Sequence, residues 1–98
     1  MSYRKGRRLE YAVRDIFRRR GWLVVRAAAS KPMDLVCMKK GRTVLVECKY
    51  NRRYATWREV EPLVSLARKA GAEPVVALAV KRGEPSLRSL ESWDVFKP

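Results

Sequence analysis

Three charged residues lie within two apolar, β-branched stretches of the sequence, at positions 32–36 and 44–49. Asp34 belongs to the first stretch, whereas Glu47 and Lys49 belong to the second. Because strand side chains alternate between faces, Leu45, Glu47 and Lys49 project to one side of a sheet, and Asp34 enters nearby. Burying an unpaired charge in such a strand costs several kcal/mol. The pattern therefore predicts that these charges are used, and two convergent carboxylates suit a divalent metal ion.

Mg²⁺ fits such a pair because it accepts few protein ligands and completes its coordination with water and substrate phosphate. The ion would polarise a phosphodiester and lower the pKa of a bound water. Lys49 can orient the attacking water or stabilise the transition state from the same strand face. Glu10 supplies a further carboxylate if the first helix packs across this face. Its alternative is an exposed ion pair with Arg14, four residues later.

The composition favours a polyanionic partner. The chain has 98 residues, a net charge of +13 and a pI near 10.6. Positive charge of this size favours nucleic acid, which releases counterions when it binds. A thermophile surface is the alternative, although such surfaces usually mix both signs in ion-pair networks. The hydrophobic fraction of 47% supports a single domain, residues 1–98, with a modest core.

The residues that the sequence lacks exclude several function classes. It contains no His, so a histidine general base and the Ser-His and Cys-His pairs are impossible. Cys37 and Cys48 lie within strand patterns and are predicted to be core thiols rather than zinc ligands. There is no apolar run of about eighteen residues and no signal-peptide pattern. We therefore expect a cytoplasmic protein that does not enter a membrane.

Apolar periodicity predicts an α/β domain in which helices flank a mixed sheet, in the order α-β-β-β-α-β with short C-terminal edge strands. The helices are predicted at residues 4–20, closed by Gly21, and 57–70, where Pro62 places the true start near residues 59–61. Strands are predicted at residues 22–26, 34–38, 43–50 and 74–80, with edge strands at 86–91 and 93–96. The crossover makes the 74–80 strand parallel to the Glu47 strand, and its continuous apolar sequence indicates burial on both faces.

The loop at residues 27–32 precedes Asp34 and carries Ser30 and Lys31. A Ser-Lys pair in a loop usually serves only the turn. The position beside the carboxylates raises the alternative that Ser30 and Arg26 contact a scissile strand.

A second polar loop, residues 51–56, carries Arg52 and Arg53. Tyr50, Tyr54 and Trp57 are interleaved with these arginines, a pattern that can bind the phosphate backbone and stack on bases. The alternative is that these aromatic residues close the edge of the core.

The charged residues resemble the PD-(D/E)xK nuclease superfamily, with Pro32 and Asp34 as its first element and Glu47-Cys48-Lys49 as its second. More closely, the chain resembles the archaeal Holliday junction resolvases. The matching residues are Tyr3-Arg4-Lys5-Gly6 with Glu10, Val24-Val25-Arg26-Ala27, Ser30-Lys31, Asp34-Leu35-Val36, Glu47 and Lys49, and Arg68-Lys69-Ala70-Gly71.

This resemblance implies a restriction-endonuclease-like fold, a homodimer, and Mg²⁺-dependent paired nicking of four-way DNA junctions, with Mn²⁺ expected to substitute. It implies metal binding by Glu10, Asp34 and Glu47, and catalysis by these residues together with Lys49. It also implies DNA-binding or catalytic roles for Arg4, Lys5, Arg26 and Ser30, to which the loop residues Lys31, Arg52 and Arg53 add further DNA contacts. A dimer would let two active sites cut opposed strands, and its candidate interface residues are Leu63, Leu66, Trp93 and Phe96.

Two alternatives remain open at the level of the sequence. A related nuclease of the same fold would act on flaps, ends or damaged DNA. A non-catalytic basic module would bind nucleic acid, and Glu47 and Lys49 would then form only an ion pair.

Overall fold

The computed structural model describes residues 3–27 and 32–98, with the side chains of the first helix described from Arg7 onward. The elements are α1 (Tyr3–Arg19), β1 (Leu23–Arg26), β2 (Leu35–Lys39), β3 (Arg42–Lys49), a 3-10 turn (Arg52–Tyr54), α2 (Trp57–Ala70), β4 (Glu73–Leu78) and β5 (Ser86–Ser89). This order confirms the predicted succession of helices and strands.

One five-stranded mixed sheet joins the strands in the order β1-β2-β3-β4-β5. β3 and β4 are parallel, as the crossover through α2 predicted, and the other neighbours are antiparallel. The β2–β3 hairpin turns at Lys40 and Gly41, where φ is 46° and 79°. Positive φ at both turn residues matches the right-handed twist of the flanking strands, and Gly adopts it without steric cost.

The two helices pack on opposite faces of the sheet. Phe17 of α1 belongs to the larger core cluster, together with Val44 and Val46 of β3. Leu63 of α2 packs in a second cluster with Leu45. Strand alternation therefore puts Glu47 and Lys49 on the α2 face. The condition set for Glu10, that the first helix packs across the Glu47 face, is not met, because the apolar stripe of α1 covers the other side.

Helix α2 begins at Trp57, directly after its N-cap Thr56, rather than near residues 59–61. Pro62 lies inside the helix instead of in its first turn, and it removes one backbone hydrogen bond there. The apolar side chains of Val60 and Leu63 are buried on either side of it. Burial of this face stabilises the helix against the local cost of the proline.

The C-terminal region forms less sheet than predicted. β5 ends at Ser89, and residues 93–96 contribute only an isolated bridge between Arg88 and Val95. Phe96 instead packs on the larger core, with its ring 6.0 Å from that of Phe17. In residues 3–27 and 32–98, neither helix has the length and apolar character needed to span a bilayer.

Candidate active site

The C-terminal end of β3 opens into a pocket of about 630 Å³. Strand β3, the segment before β2, α1 and the first turn of α2 all contribute to its wall. The charged side chains that line the pocket are Glu10, Asp34, Glu47, Lys49, Arg53 and Glu59. The structure thus brings the four sequence-predicted residues Glu10, Asp34, Glu47 and Lys49 to one cavity.

Three hydrogen bonds hold Asp34, two through its backbone and one through its carboxylate. Its amide donates to the Val46 carbonyl at 2.8 Å, and its carbonyl accepts from the Ala27 amide at 2.9 Å. Its Oδ2 atom accepts from the Cys48 amide at 2.7 Å. That bond fixes the orientation of the carboxylate and occupies one of its two oxygens.

Glu47 and Lys49 form the ion pair expected from strand alternation. The Glu47 side chain is nearly buried, with a residue exposure of 3%, and its Oε2 lies 3.2 Å from Lys49 Nζ. Lys49 Nζ also donates to Glu59 Oε1 at 3.2 Å. Burial lowers the pKa of Lys49, but Glu47 and then Glu59 outweigh this effect, so the net pKa is raised. The lysine is therefore a cation held between two carboxylates.

Glu10 reaches the pocket from α1, on the side of the sheet opposite Glu47. Its Oε1 accepts from Arg26 Nε at 2.8 Å, and this contact raises the pKa of Arg26. The alternative pairing of Glu10 with Arg14 is wrong, since Arg14 bonds Asp15 at 3.0 Å. The Glu10–Arg26 pair joins α1 to the end of the edge strand β1.

The pKa of the Cys48 thiol reflects the three acidic side chains around the C-terminal end of β3. Burial raises the pKa of its thiol well above the usual value, and the charges of Asp34, Glu10 and Glu47 add to the rise. Burial alone raises the pKa of Cys37 to about 12. Both cysteines are free thiols, Cys37 is buried, and Cys48 packs against the same core. The prediction of core thiols is confirmed.

The two arginines of the 3-10 turn differ in their surroundings. Arg53 lines the pocket. Arg52 is not part of the pocket wall, and its guanidinium lies 5.4 Å from the ring centre of Trp93. The predicted residues Arg4 and Lys5 lie in α1, but their side chains are outside the described part, as are Ser30 and Lys31 entirely.

A sequence model described as "Archaeal holliday junction resolvase (hjc)" matches residues 1–98 of this chain. The chain belongs to the Hjc family. A relative named crossover junction endodeoxyribonuclease Hjc, from Methanocaldococcus jannaschii, is 32% identical over 80 residues, which are 79% of this chain and 60% of that protein. The chain thus spans less than two thirds of the length of this relative.

The fold of this Hjc family member also resembles a solved structure. That structure is Archaeoglobus fulgidus Hjc, described as a Holliday junction resolvase from an archaeal hyperthermophile. The TM-score is 0.74 at 26% sequence identity, and the match covers 89% of this chain and 74% of that one. This likeness confirms the predicted α/β class and the restriction-endonuclease-like arrangement of a mixed sheet between helices.

The donor atoms of the pocket suit a hard divalent cation. Asp34 and Glu47 offer carboxylate oxygens, the ligand type that Mg²⁺ prefers, whereas the Cys48 thiol beside them stays protonated. Within the described ranges, no three acidic or thiol side chains gather closely enough to hold one ion together. The fit in this Hjc chain is therefore that of two carboxylates, while Glu10 is engaged with Arg26 at the pocket wall.

Sequence reasoning missed two polar residues of the pocket in this Hjc chain, Glu59 and Thr56. Both depend on where α2 begins. Thr56 is the N-cap, and Glu59 lies in the first turn of the helix, where a carboxylate also favours the positive end of the helix dipole. A Thr followed three residues later by Glu is the local signal that would have found them.

Proposed function

We propose that this chain is a metal-dependent DNA endonuclease that resolves four-way junctions by paired nicking. The observation that carries the proposal is the pocket at the end of β3, where Asp34, Glu47 and Lys49 meet in a chain of the Hjc family. The name of the Methanocaldococcus relative, a crossover junction endodeoxyribonuclease, supports the same activity.

Asp34 and Glu47 would hold the metal ion, on which nucleases of this family generally depend. We assign Mg²⁺, with Mn²⁺ as a substitute, because both accept oxygen ligands. When bound, the ion supplies Lewis-acid activation of the phosphodiester and of a water molecule. The Cys48 amide orients Asp34, and the nearly buried Glu47 is fixed by its strand and by Lys49.

Lys49 acts as the cation of the site. Because two carboxylates hold its ammonium group, it stays charged and fixed in position near the phosphate. It would donate hydrogen bonds to the attacking water or to the phosphoryl oxygen on which charge develops. Glu10 would position Arg26 through their 2.8 Å contact, and it can hold a water molecule in the pocket, which we assign in place of direct metal ligation.

The DNA backbone would cross the mouth of the pocket. Arg53 lines the pocket and Arg26 lies at its α1 side, so both can neutralise phosphates that flank the cut. The net charge of +13 supports an extended DNA contact. We assign further contacts to Arg52 and to the residues predicted for DNA binding outside the described side chains, Arg4, Lys5, Ser30 and Lys31, with Ser30 also beside the scissile strand.

A homodimer would place two such pockets on opposed strands of a junction. Leu63 is fully buried in the monomer core, so it is not available to an interface, whereas Phe96 packs on Phe17 and is only partly buried. A better candidate for the dimer interface is β1, on the sheet face that carries α2. There Leu23 and Val25 are not covered by the helix and are 63% and 48% exposed. Sedimentation of Leu23→Glu beside the unchanged chain tests this interface.

Incubation with an end-labelled four-way junction, with Mg²⁺ or with EDTA, tests the activity. We expect symmetric nicks on two opposed strands only when the metal is present. The same assay on a flap, a nicked duplex and a single strand separates the alternatives. A flap cut faster than the junction would contradict junction resolution, and salt-sensitive binding without turnover would favour the non-catalytic module.

A further inference from the structure

Tyr54 and Trp57, at and next to the pocket, are the two most exposed aromatic residues in the described part of the chain. Trp22 packs edge-on against Phe17, and Trp93 lies under Arg52. Even the surface residue Tyr11 has Arg14 above its ring. In the described part of the chain, no such contact covers the rings of Tyr54 and Trp57, which are 55% and 58% exposed.

The backbone that carries the exposed Tyr54 ring is held by hydrogen bonds. Tyr54 ends the 3-10 turn. At the N-cap of this turn, the side-chain oxygen of Asn51 accepts a hydrogen bond from the Arg53 amide at 3.0 Å. The Tyr54 amide donates to the Asn51 carbonyl at 2.9 Å, and the turn is closed by the Ala55 amide on the Arg52 carbonyl. A hydrogen-bonded backbone that holds an aromatic ring out of the core favours a binding role over a core edge.

The position of Tyr54 distinguishes it from Trp57. Tyr54 lines the pocket together with Asp34, Glu47 and Lys49, whereas Trp57 is outside the pocket wall. Arg53, the preceding residue, lines the same wall and can hold a phosphate. A cation and an exposed aromatic ring side by side form the arrangement that binds one nucleotide through its backbone and its base.

We propose that Tyr54 stacks on an unstacked base next to the scissile phosphate and so selects branched DNA over regular duplex. This role rests on the proposed endonuclease function. In an unbroken duplex every base is stacked on its neighbours, so Tyr54 could bind one only after the cost of unstacking is met. At a branch point the stacking is already interrupted, so the ring gains a contact at little cost.

A thermodynamic cycle between the protein and the DNA tests this role. One set of junctions carries an abasic analogue at the nucleotides that flank the cut, and the other set is intact. Both are assayed with the full chain and with Tyr54→Ala, for junction affinity in EDTA and for kcat/KM in Mg²⁺. Tyr54→Phe keeps the ring without the hydroxyl, and Trp57→Ala removes a similarly exposed ring outside the pocket.

We expect Tyr54→Ala to weaken binding and cleavage of the intact junction by about tenfold and to lose nothing further on the abasic junction. The chain with Tyr54, or with Phe in its place, should lose about the same factor when the base is removed. Tyr54→Ala should also lower the preference for the junction over a nicked duplex. Trp57→Ala should lose much less than Tyr54→Ala on the intact junction, because its ring lies outside the pocket wall.

Losses that simply add, so that Tyr54→Ala costs the same on intact and abasic DNA, would overturn the stacking role even if the protein resolves junctions. The protein could instead show non-additive losses of junction affinity and no cleavage. That result would contradict the proposed endonuclease function but support the stacking role. The two hypotheses therefore fail separately.

Discussion

The carboxylate of Asp34 and the backbone amide of Cys48 are joined by a hydrogen bond of 2.7 Å between Oδ2 and the amide nitrogen. Asp34 precedes β2, and Cys48 lies near the end of β3. The bond therefore ties the first acidic residue of the pocket to the strand that carries the second. It orients the Asp34 carboxylate at the entrance to β2.

Replacement of Asp34 by Asn tests the negative charge of Asp34 independently of its hydrogen bond to the Cys48 amide. Asp34→Asn keeps an oxygen that accepts from Cys48 but loses the negative charge that would hold a metal ion. We expect Mg²⁺-dependent nicking to fall on the order of 100-fold or more, with junction affinity largely retained. Cleavage and gel-shift assays on the same junction measure both quantities.

The matched control is Asp15→Asn, since Asp15 is a half-exposed acid that pairs with Arg14 away from the pocket. It should leave cleavage unchanged. Asp34→Ala should also leave the Cys48 amide without its acceptor and lower the free energy of unfolding by about 1 kcal/mol. Cleavage by Asp34→Asn at the normal rate would show that Asp34 binds no catalytic ion.

The two ion pairs of Lys49 predict unequal effects for replacing the lysine and for replacing its partner Glu59. Lys49→Met should reduce the rate of nicking on the order of 100-fold, because it removes the cation of the site. Glu59→Gln should cost less than about tenfold, because the 3.2 Å contact with Glu47 still orients the ammonium group. Single-turnover rates on a saturating junction measure both. Equal losses in the two variants would indicate that Glu59 is itself essential.

Arg52 and Arg53 offer a comparison between adjacent residues of one turn. Arg53 lines the pocket, whereas the guanidinium of Arg52 lies over Trp93. We expect Arg53→Ala to reduce the slope of log affinity against log salt concentration by about 0.9, the value for one phosphate contact. Arg52→Ala should reduce the slope less. A larger change for Arg52 would move the DNA path to the Trp93 side of the turn.

The thiol of Cys37 predicts a loss of stability in alkaline solution. Burial raises its pKa to about 12 in the folded state, while the unfolded thiol ionises near pH 8.5. Above that lower pKa the unfolded state binds fewer protons, so the free energy of unfolding falls as the pH rises toward about 12. Urea unfolding at about pH 7, 9 and 10.5 measures this fall.

Cys37→Ala is the control for this effect. It should be less stable at neutral pH because it leaves a cavity in the core, yet it should lose less stability as the pH rises. Cys48 contributes in the same direction through its own raised pKa, so the fall is reduced rather than abolished. Identical pH slopes for the two proteins would contradict the assignment to Cys37.

The sequence predicted the strand that carries the site better than the helix that completes it. Alternation along β3 predicted the shared face of Glu47 and Lys49, because that relation depends only on local strand geometry. The stripe of α1 predicted a buried helix but not the face on which it docks, which depends on long-range packing. The partner of Glu10 is consequently Arg26, sixteen residues away in sequence, rather than the nearer Arg14.

The start of α2 was mispredicted for a different reason. Local rules favour a proline in the first turn of a helix, and they moved the predicted start toward Pro62. The buried side chains on both sides of Pro62 stabilise an earlier start, which puts Glu59 beside Lys49. Burial against the sheet outweighs the local preference here, and helix propensities taken from the sequence do not include such burial.

The parallel pairing of β3 with β4 has a consequence for the time at which the protein acquires its pocket during synthesis. β3 gains this second neighbour only after residue 78 has been made, because the partner of Lys49 in the ladder is Leu78. Until then the ribosome-bound chain already carries Glu10, Asp34 and Glu47, but the strand that bears the last of them is an unsupported edge. A growing chain therefore carries Glu10, Asp34 and Glu47 long before the completed sheet can hold them in place.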